Sequence, residues 1–151
     1  MSKIVYWCPE ENNLAIIHPT GEVPIDDLVN RLVPEGVSYE IVDDDVIPSD
    51  RTFRDAWVNT GSAISEDLTK SKEIGHEYRR AKRAEEFAPY DDVIAKQIPG
   101  SAADEAEAAR VEIRAKYATI QDQIDAATTT GEIKTALDLE LSFILGKRAL
   151  L

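Results

Sequence analysis

Cysteine is almost missing from this chain. Cys8 is the only one in 151 residues, so no intrachain disulfide can form and no cysteine cluster can hold zinc. It reads as a small residue at a strand end rather than a reactive thiol. Histidine is scarce too, with His18 and His76 the only two. No HExxH, CxxC or paired-histidine spacing points to a transition metal. The 7 glycines are scattered and form no phosphate loop, and the serines lack a nucleophile-elbow context. No cofactor is expected. Positive charge is in deficit, with Lys plus Arg 17 against Asp plus Glu 29 and a formal net charge of −12. Such a balance repels phosphate backbones and weighs against nucleic acid or an anionic membrane as a partner. Long apolar runs are lacking as well. The opening MSKIVYWCPEENN carries no signal-like apolar core, and Leu137 to Leu151 is interrupted by Asp138, Glu140, Lys147 and Arg148, too short and too charged to span a bilayer.

What the chain does have is ordinary for a folded protein, with 43% hydrophobic and 30% charged residues. Its length suits one domain, or a small domain with a helical extension. Lys3 to Trp7 and Leu14 to His18 are rich in β-branched and aromatic residues and read as a hairpin joined by a longer loop. Pro24 suits a helix start, Ile25, Leu28, Val29 and Leu32 fall on one helical face, and Pro34 with Gly36 stops that helix. Val37 to Val42 alternates as a third strand. The expected class is therefore α+β, with a β-rich head over residues 1–60, about three strands covered by one short helix. Residues 61–151 read as a helical region with helices near 65–88, 102–128 and 131–146. Pro89 is expected to end the first of these, and Ser101 with Asp104, then Thr129 with Glu132, read as capping boxes.

The second of those helices is the most regular feature. Ala106, Ala109, Ile113, Tyr117, Ile120, Ile124 and Ala127 recur in steps of three and four over a helix roughly 35 Å long. Such a seam needs another helix, either the preceding one folded back as a hairpin or a copy from a second chain. Ile113, Tyr117, Ile120 and Ile124, with Leu137, Leu141, Phe143, Ile144 and Leu145 near the C-terminus, are accordingly candidate partner-binding residues. The apolar stretch LELSFILGKRALL packs either on the chain's own helices or on another polypeptide.

Three clusters invite a chemical reading. Asp43, Asp44 and Asp45 lack the alternating ligands, glycine and distal glutamate of a calcium loop, and read as a solvated turn. Arg79, Arg80, Lys82 and Arg83 form a basic block, either a solvated face paired to Glu77, Glu85 and Glu86 or a docking patch for an acidic surface. The segment Ile47–Trp57, IPSDRTFRDAW, concentrates Asp50, Arg51, Arg54 and Asp55 around two aromatics. These four are acid–base capable but have no nucleophile, metal or histidine partner. The stretch reads instead as a joint. Ser49 caps a helical turn, Phe53 and Trp57 share a face and anchor it to the sheet, and Arg51 and Arg54 fix its orientation.

The stretch from His18 to Trp57 also resembles a family of small proteins encoded by tailed bacteriophages, often near tail-fibre genes. The resemblance is carried by Pro19-Thr20-Gly21, by Val33, Pro34, Gly36, Val37, Tyr39, Ile41, Val42 and Asp43, and by the PSDRTFRxAW motif with Pro48, Asp50, Arg51, Thr52, Phe53, Arg54, Ala56 and Trp57. It covers about forty residues, and the layout of small head and helical tail is similar to that of tail-fibre assembly proteins. The resemblance implies a virion or virion-assembly component. Together with the Ala106–Ala127 seam, the apolar C-terminus and the lack of a catalytic constellation, the expected role is a non-enzymatic, chaperone-like or structural protein that binds a tail or tail-fibre protein through its helices. It would reside in the virion tail region or in the host cytoplasm during assembly, with the long helix able to pair two copies. A small phage-encoded regulator or host-interaction module is the alternative.

Overall fold

In the computed structural model the described residues are 1–61, 63–96 and 100–139. The chain is α+β and divides into two compact units, Met1–Asp67 and Leu68–Leu151.

The first unit is built on strands β1 (Ser2–Cys8), β2 (Asn13–Ile17) and β3 (Tyr39–Asp43). They form an antiparallel sheet in the order β2-β1-β3. The register sets Val5 against Ile16 and Glu40, and Ile4 against Ile17 and Ile41. Alternation therefore sends Val5, Leu14, Ile16 and Val42 to one face and Ile4, Tyr6, Ile17 and Ile41 to the other. Helix α1 (Ile25–Leu32) begins after Pro24 as its sequence dictates, yet it contains no buried residue, and Leu32 is 51% exposed. The expected helical cover of the sheet is thus corrected. Eight residues with one apolar stripe bury too little to cover three strands, and aromatic residues later in the chain supply the filling instead.

That filling is a hairpin absent from the sequence reading, β4 (Trp57–Asn59) paired with β5 (Ile64–Glu66). Thr60 closes it, its N–H and hydroxyl both donating to the Ala63 carbonyl at 3.0 and 2.9 Å. Val5, Leu14, Trp57 and Ile64 form one buried cluster, flanked by Ile16, Val42, Val46 and Ile47. Asp67 N–H donates to the Ala56 carbonyl at 2.7 Å, so the unit closes on itself several residues beyond the expected boundary at 60. The positions assigned to a helix start, Ser65 and Glu66, lie in β5, because pairing with β4 satisfies backbone groups that a frayed first turn would leave open.

The second unit comprises α2 (Leu68–Ala95), α3 (Ser101–Ala126) and α4 (Thr130–Leu137). Helix α2 runs through Pro89 instead of stopping there. A proline removes one ladder bond and crowds one carbonyl, but contacts beyond it hold the helix against α3, with Arg110 paired to Asp91 at 3.1 Å. Helix α3 begins one residue earlier than expected, after Gly100, with no side-chain cap; Ser101 is already inside the helix and cannot act as the cap. At α4 the capping pattern is present: Glu132 N–H donates to Thr129 Oγ1 at 3.3 Å, and the Glu132 carboxylate accepts from Thr128 N–H at 2.6 Å. Helix α4 ends at Leu137, before Asp138 in the left-handed region. The expected extension to 146, with Leu141, Phe143, Ile144 and Leu145, lies outside the described residues.

Candidate functional site

The joint segment is organised differently from a capped helix. Asp50, not Ser49, directs the turn: its carboxylate accepts from Thr52 N–H at 2.9 Å and from the Thr52 hydroxyl at 2.7 Å. A short 3-10 turn spans Arg54–Ala56, with Phe53 before it and Trp57 already extended in β4. Phe53 and Trp57 are both fully buried, but they bracket the turn instead of sharing a helical face. Arg54 Nη2 donates to the Leu14 carbonyl at 2.5 Å, and its guanidinium stacks 4.8 Å from the Trp57 ring centroid. Burial lowers the Arg54 pKa, a shift that Asp55 opposes. Arg51 is exposed. Orientation therefore rests on Arg54, which ties the turn to the carbonyl of β2. Two of the four acid–base-capable groups thus have structural partners, Asp50 in Thr52 and Arg54 in the Leu14 carbonyl and the Trp57 ring.

The apolar seam of the long helix is met inside the chain. Ile113, Tyr117 and Ile124 of α3 and Leu137 of α4 are 8%, 1%, 0% and 2% exposed, and Ile120 is half-buried. These candidate partner-binding side chains are consumed by packing of α2, α3 and α4 on one another, because two facing helices of matched length bury the seam without a second copy. Polar pairs fix the antiparallel register of α2 and α3. His76 Nε2 lies 2.9 Å from Asp125 Oδ1, and Lys72 Nζ donates to the Asp125 carbonyl at 2.8 Å. Farther along, one Glu86 oxygen accepts from Lys116 Nζ and from the Tyr117 hydroxyl, both at 2.6 Å. The hydrogen bond from Lys116, then that from Tyr117, hold the Glu86 carboxyl below its ordinary pKa. Burial foremost, then Glu86, pushes the Tyr117 hydroxyl upward.

The basic block splits among several roles. Arg79 is buried, Arg80 is exposed, and Lys82 Nζ donates to the Leu137 carbonyl at the end of α4 at 2.6 Å. Arg83 lies 6.0 Å from the Phe87 ring centroid. Interhelical contacts thus take Lys82 and Glu86, which the sequence could also have paired within one helix.

Among the described residues, no group of three or more His, Cys, Asp or Glu is placed to hold a metal ion, and no helix is long and apolar enough to cross a membrane. A cleft of about 410 Å³ opens at one end of the sheet, lined by Val5, Trp7, Leu14, Tyr39, Glu40 and Val58 among others. Trp7 is 36% exposed, Tyr39 44% and Ile41 50%. Tyr39 and Ile41 stand on β3, an edge strand of the three-stranded sheet. Sequence reading missed this surface, since VSYEIV looks like any half-buried strand until its place at the edge is known. In comparisons with known proteins, no family model, curated protein sequence or solved structure matched the chain.

Proposed function

We propose that this chain is a non-enzymatic component of a tailed-phage tail or of its assembly, and that it acts by binding a tail or tail-fibre protein. The observation that carries a binding role is the exposed apolar group on the sheet. Trp7 and Tyr39 are among the residues lining a cleft beside the edge strand, and Ile41 is exposed two residues beyond Tyr39 on that strand; aromatic side chains left at a surface are the residue types that anchor protein interfaces. An edge strand also offers unpaired backbone groups to an added strand. The seam residues of α3 are interior, so the contact first expected there is assigned to the sheet. The phage assignment itself rests on the His18–Trp57 resemblance.

Co-expression of the chain with the tail and tail-fibre proteins of a phage that encodes it, followed by affinity capture and sedimentation, tests this reading. A stoichiometric complex weakened by Tyr39→Ser with Ile41→Ser supports it. A soluble monomer that captures none of them, and that mass spectrometry fails to find in purified particles, refutes it. Presence in particles separates a structural part from an assembly factor or from a regulator.

A further inference from the structure

Charge is divided unevenly along the chain. Met1–Asp67 carries 14 of the 29 acidic side chains but only 4 of the 17 basic ones, and so holds −10 of the net −12. Two of its four cations are committed within the unit. Lys3 is buried and lies 3.6 Å from Asp44, and Arg54 donates to the Leu14 carbonyl. A surface of this kind draws cationic groups toward it and repels anionic ones.

Within that unit, the cleft at the end of the sheet joins an aromatic ring to a carboxylate. The register sets Glu40 against Val5 and Leu14 against Trp7, and alternation turns all four to one face. Buried Val5 and Leu14 make the floor, while Trp7 and Glu40 are exposed. Val58 and Asn59 of β4 complete the lining. Asn59 Nδ2 donates to Glu40 Oε2 at 2.8 Å, which holds the carboxylate at the cleft and engages one of its two oxygens. Among the described residues no cation pairs with Glu40. The volume, about 410 Å³, lies in the range of pockets that enclose small ligands, enough for one long side chain and part of its neighbours.

We propose that this cleft receives an arginine side chain from a basic segment of a protein partner. A guanidinium is planar, so it stacks on the indole of Trp7 while its N–H groups donate to the Glu40 carboxylate. An ammonium would make the ion pair without the planar stack. The apolar floor keeps water from one side of the pair, where both contacts strengthen. The acidic surface around the cleft adds attraction during approach, and the sign of that field selects a basic segment over an acidic one. The inference rests on the protein-binding reading and gives the partner a chemistry.

The test uses the full chain labelled with 15N. Its 2 tryptophans give two indole N–H resonances, Trp7 at the cleft and Trp57 in the core, the second serving as a reference for the fold. A short arginine–serine peptide is added, and its citrulline counterpart, of the same shape but neutral, forms a separate arm. The Trp7 resonance is expected to shift with the arginine peptide alone. Glu40→Gln should weaken peptide binding roughly tenfold, the scale of losing one charge-assisted pair, with the Trp57 resonance unmoved. Asp27→Asn removes the same charge at an exposed position of α1, outside the cleft, and should bind as wild type does. Three outcomes overturn the proposal: no shift of Trp7, an equal response to the citrulline peptide, or equal weakening by Asp27→Asn, which would make the attraction a property of the whole acidic surface. A tail protein that binds Glu40→Gln with undiminished affinity also removes this site while leaving the proposed function standing. Peptide binding without any tail-protein complex does the reverse.

Discussion

Arg51 and Arg54 are three positions apart in one motif and meet different fates. Arg54 donates to the Leu14 carbonyl and covers Trp57, whereas Arg51 is exposed. Removing a charged hydrogen bond and its stacking costs about 1.5–3 kcal/mol, and an exposed side chain of this kind costs within about 0.5 kcal/mol. Urea denaturation should therefore show Arg54→Ala clearly destabilised and Arg51→Ala near wild type; equal losses would refute the strut role of Arg54. Gly75 makes the complementary point. Alanine improves helix propensity by about 1 kcal/mol, but the contact with Ile133 Cγ2 turns that gain into overpacking worth about 1–3 kcal/mol. Gly75→Ala should lower the midpoint, and adding Ile133→Leu, which lacks that methyl, should recover part of the loss.

Among the elements, those defined by their own residues were legible in the sequence and those defined by partners were not. Strands β1, β2 and β3, helix α1 and the α3 seam carry their period in their own side chains. The β4–β5 hairpin does not: each strand has three residues, too few to show an alternation, and Trp57 four residues after Phe53 also fits a helical face. Pro89 misled for a related reason, since its local penalty is outweighed by packing that only the folded pair α2–α3 reveals. The basic block could not be apportioned from spacing, because interhelical acceptors such as the Leu137 carbonyl have no sequence signature. The Glu86 clasp between α2 and α3 gives the pair a pH dependence. Its folded pKa lies below the ordinary 4.5, so its contribution is present above that value and fades as pH falls through the depressed one. Between pH 7 and pH 3 the wild type should lose more stability than Glu86→Gln in matched thermal melts. Parallel curves would show that the carboxylate is not held.

For the molecule as a whole, each unit carries its own core, Trp57 with Val5, Leu14 and Ile64 in one and the α2–α3–α4 packing in the other. Residues 68–151 expressed alone should show a helical circular-dichroism spectrum and cooperative melting. Residues 1–67 should fold with a lower midpoint, because cores of chains this short supply only about 3–5 kcal/mol; a fragment 1–67 that stays unfolded would show that the sheet depends on the helices. The position of Trp57 along the chain has a further effect, on synthesis. Residues 2–43 can pair as a sheet, yet the side chains that fill its Val5–Leu14 face arrive only with Trp57 and Ile64. At roughly 5–20 residues per second, translating from Asp43 to Ile64 takes about 1–4 s. For that interval the nascent sheet presents a bare apolar face to solvent, a brief opening for chaperones or for a neighbouring nascent chain.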